Sequence, residues 1–423
     1  MNARWAAIAL VLSAGCEEVV DPPPPPAHPC LATWGDDGDR LHVDGSAAAG
    51  GDGSSATPFT TLAEGLAAAR AGGPRTIVVA TGEYVGGLLL TQDDPSRSDG
   101  GLVLRGCGSS TEIVAPDGLP AVEIAGPNTA DVVLRDLTLS GGRRGLAIHN
   151  GAGRDGPIVV DTVHVSDSSR VGVLIDGLVT RVRFTDVTVD GVVADGGALG
   201  WGIAVQSGGS SLAQVPAPSV FEGVDVTGAT EVGLLADGAW LEVTASSVVG
   251  TSPAAGGALG RGLQLQRHTI GVLDSVIAQG NADAAVFAHK PGLDDDALRI
   301  VGSTLGTTAV GDTPGAPGTS DGLTATAGDP APTLGSMLLV VEDTTFEAND
   351  RVHLLADGVR LRIGPNNIFG DGSDFPFAAQ AGADVQGLDG GAPPVEPQEL
   401  GAGEALSVFR APVDPDEAAD LVR

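Results

Sequence analysis

The sequence predicts an all-β solenoid, and three observations predict it. Short apolar triplets recur at a near-constant spacing, each bounded by Gly, Asp or Asn. The hydrophobic 42% of the 423 residues is built mostly from Val, Leu, Ile and Ala, and 64 residues are Gly. No stretch of the repeat follows the helical period, whereas the triplets carry the β-branched types and turn punctuation of short strands.

The repeat is visible in two interleaved series. The first reads Gly145-Leu-Ala-Ile, Gly172-Val-Leu-Ile, Gly202-Ile-Ala-Val, Gly233-Leu-Leu-Ala, Gly262-Leu-Gln-Leu, Ala284-Ala-Val-Phe, Gly322-Leu-Thr-Ala and Val352-His-Leu-Leu. The second reads Leu137-Thr-Leu, Val163-His-Val, Val187-Thr-Val, Val224-Asp-Val, Ser247-Val-Val, Ser275-Val-Ile, Ser303-Thr-Leu and Thr345-Phe. Most intervals are 22 to 31 residues. The two long gaps hold Gly-, Pro- and Ser-rich stretches, 207–219 and 307–335, which read as loops inserted into single coils. A period near 25 with two or three short strands per turn is what a single-stranded right-handed parallel β-helix requires. The pattern resembles the pectin-lyase-like β-helix superfamily over about residues 120 to 370. Stacked at about 4.8 Å, roughly ten such coils make a rod on the order of 50 Å long.

The elements before the repeat fit the same plan. Pro58 and Phe59 lead into Thr60 to Ala71, where Phe59, Leu62, Ala63, Leu66 and Ala67 share a helical face and Gly72-Gly73 ends it. This resembles the N-terminal module of secreted bacterial β-helix proteins, in which an amphipathic helix covers the open end of the stack. An uncovered end would expose unpaired backbone groups and apolar interior.

The leader speaks to location. Met1 to Arg4 is positively charged, Trp5 to Leu12 is apolar, and Ser13-Ala14-Gly15-Cys16 follows. The apolar run is too short for a spanning helix and reads as an export signal. Small residues before a Cys resemble the lipobox of bacterial lipoproteins, in which that Cys is acylated, although Ser13 stands where the motif prefers Leu. The resemblance implies a signal peptide over 1–15, lipidation of Cys16 (a palmitate-bearing anchor), and, with Glu17 rather than Asp beside it, sorting to the outer membrane. Residues 16–29 include Pro22 to Pro26, a stiff tether. The organisation expected is therefore leader 1–15, tether 16–29, N-terminal cap and first coils 30–118, β-helix 119–389, and a linker with a possible cap at 390–423. Two further cysteines, Cys30 and Cys107, are read as one disulfide in an oxidising compartment, with two buried free thiols as the alternative.

Composition excludes some partners. With 22 Lys plus Arg against 54 Asp plus Glu the formal charge is −32, which rules out nucleic acid as a partner, since that affinity comes from clustered cations. Aromatic residues make only 3%, too few for stacking platforms.

For catalysis, the residues preceding the Gly-opening strands form one column: Arg144, Arg170, Trp201, Glu231, Arg261, Asp283, Asp321 and Asp350-Arg351. Asn281-Ala-Asp283-Ala resembles the Asn-x-Asp-Gly motif of polygalacturonases, and Ser320-Asp321-Gly322 repeats the acid one coil later. That resemblance implies paired carboxylates for glycoside hydrolysis, with Glu231, Arg261, Asp283 and Asp321 as catalytic candidates. The adjacent Asp pair, the Gly-His-Gly and the Arg-x-Lys motifs of that family are absent, and Lys290 is the chain's one Lys. Similarity to polyuronate lyases would rest on Asp294-Asp295-Asp296 as calcium ligands and Arg261 or Arg299 as base. Asp36, Asp37 and Asp39 are candidate calcium ligands without the complete EF-hand pattern. No other cofactor is implied. His149, His268 and His289 follow Gly-opening strands and read as solvent-facing turn residues. Turn chemistry explains Asp and Asn before Gly more simply than catalysis does. The expected function is thus a lipid-anchored, non-catalytic envelope rod whose long flat face serves adhesion, surface architecture or capture of a cell-surface polysaccharide or protein. The alternative is a polysaccharide hydrolase or lyase on the same scaffold.

Overall fold

The computed structural model describes residues 39–406 except 92–100, 127–128, 150–151, 153–155, 178–180, 197–198, 207–216, 254, 256–258, 268, 291–296, 307–319, 328–337 and 402–403. The chain is a right-handed parallel β-helix. Its strands fall into a 22-stranded sheet and a 12-stranded sheet, and every strand pairs in parallel with its counterpart one coil away, as in Val171–Asp176 between Arg144–His149 and Trp201–Gln206.

The first coil begins with the strand Arg40–Val43, which pairs with Thr76–Val79. Between them lies the helix Leu62–Arg70. Thr61 caps it by accepting from the Glu64 amide, and the Glu64 carboxylate accepts from the Thr61 amide in return. Its Leu62, Leu66 and Ala69 join Leu41, Val43 and Ile77 in the core.

Corners between strands are single residues in the left-handed region, and this is where the turn residues go. Asp136, Thr162, Asp186, Gly223, Ala245, Ser275, Gly302, Asp343 and Asn366 hold one corner of successive coils, with φ between 49° and 65° for the non-Asn members listed from Asp136 to Asp343. Asp, Asn and Gly tolerate that conformation best. The corner that opens each strand of the 12-stranded sheet demands glycine for a different reason, which is space. A Cβ on Gly172 would lie 2.5 Å from Val189 Cγ1, on Gly202 2.4 Å from Val226 Cγ1, and on Gly233 2.2 Å from Val248 Cγ1. The recurring Gly is therefore the place where the interior valines of the neighbouring sheet are accommodated.

The strand pairing corrects two sequence alignments. Ala284 and Val352 align with Asp321, so the residues in the Gly column are Ala285 and His353. Likewise Ser247 pairs with Asp225 and Thr345 with Thr304, so Ser246 and Thr344 follow Val224 and Ser303 in the second series, and Val276 rather than Ser275 precedes Ser303. Where the corner glycine is missing, alignment on the first apolar residue slips by one.

The interior is a set of ladders. Phe184 stacks on Phe221 with centroids 5.1 Å apart, and Phe346 stacks on Phe369 at 5.1 Å. Strands continue beyond residue 389: Gln398–Glu399 pairs with Ala378–Ala379, and Leu400 packs with Val352, Leu355 and Ala378. The 12-stranded sheet is buried on both faces in Arg144–His149, Trp201–Gln206, Val232–Asp237, Arg261–Gln266, Ala284–His289, Asp321–Thr326 and Val352–Asp357. It is thus no free flat face. Exposed positions alternate instead along the 22-stranded sheet, as at Arg183, Glu222, Glu242 and Arg299.

Candidate functional site

The candidate residues occupy two adjacent registers of the 12-stranded sheet, not one. Arg144, Trp201, Arg261 and Asp321 are first residues of their strands, in register with Val171, Val232, Ala284 and Val352. Arg170, Glu231, Asp283 and Arg351 each stand one residue earlier. The offset matters because contacts run diagonally from the first residue of one strand to the residue before the next strand. Trp201 Nε1 donates to Glu231 Oε2 at 3.1 Å. Arg261 Nε donates to Asp283 Oδ2 at 2.7 Å. Arg351 Nε donates to Asp321 Oδ1 at 2.7 Å and its Nη2 donates to Asp321 Oδ2, with Thr324 Oγ1 donating to the same oxygen at 2.5 Å. The backbone follows the same step: the amide of Arg261 donates to the carbonyl of Glu231, and that of Asp321 to the carbonyl of Asp283.

Most of these groups lie inside the protein, while Asp283 and Arg351 are part-exposed. Arg261 is fully buried, Asp321 is 2% exposed and Glu231 8%. The Arg261 guanidinium sits 3.5 Å from the centroid of the Phe287 ring, and its Nη1 donates to Gln264 Oε1 at 2.9 Å, while Gln264 Nε2 donates to Gln266 Oε1 at 2.7 Å. Burial pushes the Arg261 pKa down, opposed by the charge and hydrogen bond of Asp283. Burial pushes the Asp321 carboxyl above the ordinary carboxylate range, against Arg351 and Thr324, which favour the anion. The basic neighbours required for chemistry are present, but as counter-ions already engaged.

Phe287, Gln264, Gln266 and the pairing role of Arg351 were not legible from motifs. The signal that reveals them is alternation: Gln264 and Gln266 flank the inward Leu265, and each outward position is as buried as the inward ones. Asn281, half of the polygalacturonase-like motif, is structural. Its Nδ2 donates to the Val248 carbonyl at 3.2 Å and its Oδ1 accepts from the Thr251 amide at 3.0 Å.

The histidines are not turn residues in water. His149 and His289 are the last residues of their strands, 4% and 6% exposed, because the outer face of this sheet is covered. His149 Nε2 lies 2.7 Å from Glu123 Oε1, and this contact lowers the Glu123 pKa. His268 lies outside the described residues, and Gln266 holds that register. Arg299 pairs with Glu342 on the other sheet.

Asp294-Asp295-Asp296, Cys16, Cys30, Asp36 and Asp37 lie outside the described residues, while Asp39 is an exposed turn residue before the first strand. Among the described residues no cluster of three or more His, Cys, Asp or Glu side chains is placed to hold a metal. Cys107 packs against Val78 and Ala80, while Cys30 lies outside the described residues. An open cleft of about 490 Å³ lies elsewhere, between the helix and Leu88-Leu89, lined also by Ala63, Ala67 and Arg70. No helix among the described residues is long and apolar enough to cross a membrane.

No protein-family model matches the chain. No curated protein matches it either. Among solved structures, the A-module of the mannuronan C-5 epimerase AlgE4 from Azotobacter vinelandii is similar, with 17% identity over 79% of this chain and 92% of that one and a TM-score of 0.49. An alginate lyase from Paenibacillus sp. str. FPU-7 shows 13% identity over 77% and 91% of the two chains, with a TM-score of 0.40. The pectate lyase Pel9A shows 12% identity over 85% and 80%, with a TM-score of 0.36. At these values the likenesses carry no argument about activity, and the fold rests on the strand pairing itself.

Proposed function

We propose that this chain is a non-catalytic β-helix rod of the bacterial cell envelope, anchored through lipid on Cys16 in the outer membrane and used for surface binding, adhesion or architecture. The observation that carries this reading is that Arg261 and Asp321 are buried and, together with the part-exposed Asp283, are engaged in inter-coil ion pairs. A general acid or base has to reach the proton it moves, and carboxylates bonded to arginines inside a covered sheet serve coil register instead. The surface available for a partner is the outer face of the 22-stranded sheet, where Arg135–Asp161 and Arg183–Glu222 bridge successive coils and Thr188, Thr304 and Thr345 are part-exposed. A cell-surface polysaccharide or protein fits such a mixed polar face. In this reading the helix Leu62–Arg70 covers the first coil, and Cys30 is the partner of Cys107.

A second reading, a polysaccharide hydrolase or lyase, has one observation in its favour. Arg261, Asp283, Asp321 and Arg351 gather on neighbouring coils and act on one another electrically, the charge of Asp321 reaching Arg261 and that of Asp283 reaching Arg351. Reducing-sugar release and the absorbance of unsaturated uronides, followed over a panel of neutral and acidic polysaccharides, separate the two. No release is expected; release from either class overturns the non-catalytic assignment.

A further inference from the structure

The interior of the β-helix contains one imidazole set where other coils have glycine. His353 occupies the corner position held by Gly145, Gly172, Gly202, Gly233, Gly262 and Gly322, and it is fully buried. Its ring lies beside the stacked pair Phe346 and Phe369, tilted against both at centroid distances of 6.5 and 6.4 Å. Nε2 is 2.8 Å from the Gly370 carbonyl, which only accepts, so Nε2 carries the proton. Nδ1 is 2.8 Å from Asn349 Nδ2, which also reaches the Leu305 carbonyl at 3.3 Å. The amide therefore donates to both, and Nδ1 accepts. The neutral imidazole is satisfied at both nitrogens.

A second proton breaks this arrangement. An Nδ1–H would meet the N–H of Asn349, and turning the amide over would set its oxygen against the Leu305 carbonyl. Among the described residues no carboxylate is bonded to the ring. Of the charged residues on the elements packed around the ring, Asp321 is held by Arg351, Asp350 accepts from Ser320, Glu347 accepts from Gln279, and Asp357 accepts from Thr326 and Gln380. Asp371 and Asp374 are exposed. The strand Phe375–Gln380 contributes Phe377, which stacks on Phe369.

We propose that His353 is an acid-operated latch on the C-terminal coils: protonation in mildly acidic surroundings charges the core beside the Phe346–Phe369 stack and loosens residues 346–400, while the rest of the rod stays closed. Local release is possible because each coil of a solenoid contacts only its neighbours. The pKa direction agrees, since burial lowers that of His353 below 6.5. A group with a depressed folded pKa and a charged acid form binds more protons unfolded, so the stability it contributes is present above about pH 6.5, the unfolded value, and is lost as pH falls from there through the lower folded value.

Hydrogen exchange of the whole protein between about pH 7.5 and 5 tests this. Protection in 346–400, corrected for intrinsic exchange, is expected to fall about tenfold or more, with 201–266 unchanged and with His353→Gln insensitive over the window. A uniform loss along the rod, or the same local loss in His353→Gln, overturns the proposal. Should that variant not fold, titration of His353 in the unaltered protein by NMR decides. A pKa at or above 6.5 overturns the latch, and one below it with concurrent loss of protection in the last coils supports it.

Discussion

Arg261 and Asp283 are hydrogen-bonded across successive coils at 2.7 Å, and Asp321 and Arg351 repeat the same diagonal with the charges exchanged. One position donates in the first pair and accepts in the second. This exchange of sign is what a register device permits and a catalytic constellation does not, because a register contact needs complementarity only between neighbours. The device also explains where the scarce cations go: Arg105, Arg135, Arg183, Arg267 and Arg299 likewise bind carboxylates of adjoining coils.

Breaking one such pair should destabilise the rod. Arg261→Ala leaves Gln264 and the part-exposed Asp283 without this donor, and a loss below the about 3–5 kcal/mol of a fully buried pair is expected. Arg261→Met, which fills the volume over Phe287, should cost less than Arg261→Ala. Urea unfolding of both variants, with Asp283→Ala as the other arm of a double-mutant cycle, measures the coupling. Additive single effects would show that the pair does not act as a unit.

The corner glycines make a steric prediction. Gly233→Ala places a methyl group 2.2 Å from Val248 Cγ1, and overpacking of this kind costs about 1–3 kcal/mol. The double variant Gly233→Ala with Val248→Ala should recover part of that loss, since the clashing methyl is removed. Gly228 offers the contrast. Its added Cβ meets nothing within 4 Å, and its φ of 63° suits Asn, so Gly228→Asn should shift the unfolding midpoint little.

These glycines also mark how far the sequence could be read. The solenoid was legible because Gly145, Gly172, Gly202 and Gly233 recur before apolar triplets, and the physical cause is the valine each must clear. Ala285 and His353 hid the register, since the neighbouring interior there is shaped by other residues and the glycine is dispensable. The same column holds the candidate acids Glu231, Asp283 and Asp321, but the burial of Glu231 and Asp321 and the pairing of Asp283 are not visible in it. Whether an outward residue faces water or a covering segment depends on what lies over the sheet, and no local pattern records that. The pairing of Arg351 and the contact of Phe287 are not legible in the sequence because they exist only across coils.

Glu123 should give the N-terminal coils an acid limit. Its carboxylate accepts from His149, and this hydrogen bond lowers its pKa below 4.5 despite partial burial. A carboxylate with a depressed folded pKa contributes stability that is present above its unfolded value and lost as pH falls through the folded one. Glu123→Gln is expected to be less stable than the unaltered protein near neutrality, with the difference shrinking below about pH 4.5. Chemical denaturation across pH 3 to 7 provides the measurement. A difference that stays constant would remove the titration from the explanation.

The anchor is tested apart from the fold, because the residues concerned precede the first strand at Arg40. Trp5 to Leu12 followed by Ser13-Ala14-Gly15-Cys16 supports acylation of Cys16, and Pro22 to Pro26 would hold the rod off the membrane. A single short acyl chain binds membranes only marginally, so stable retention needs more than one chain on that cysteine. In detergent phase separation of cells expressing the full chain, the protein should enter the detergent phase, and Cys16→Ala should move it to the aqueous phase. Cys30→Ala serves as the control, since it removes a cysteine beyond the tether and should leave partitioning unchanged. Equal partitioning of Cys16→Ala and the unaltered chain would refute the lipid anchor without touching the β-helix.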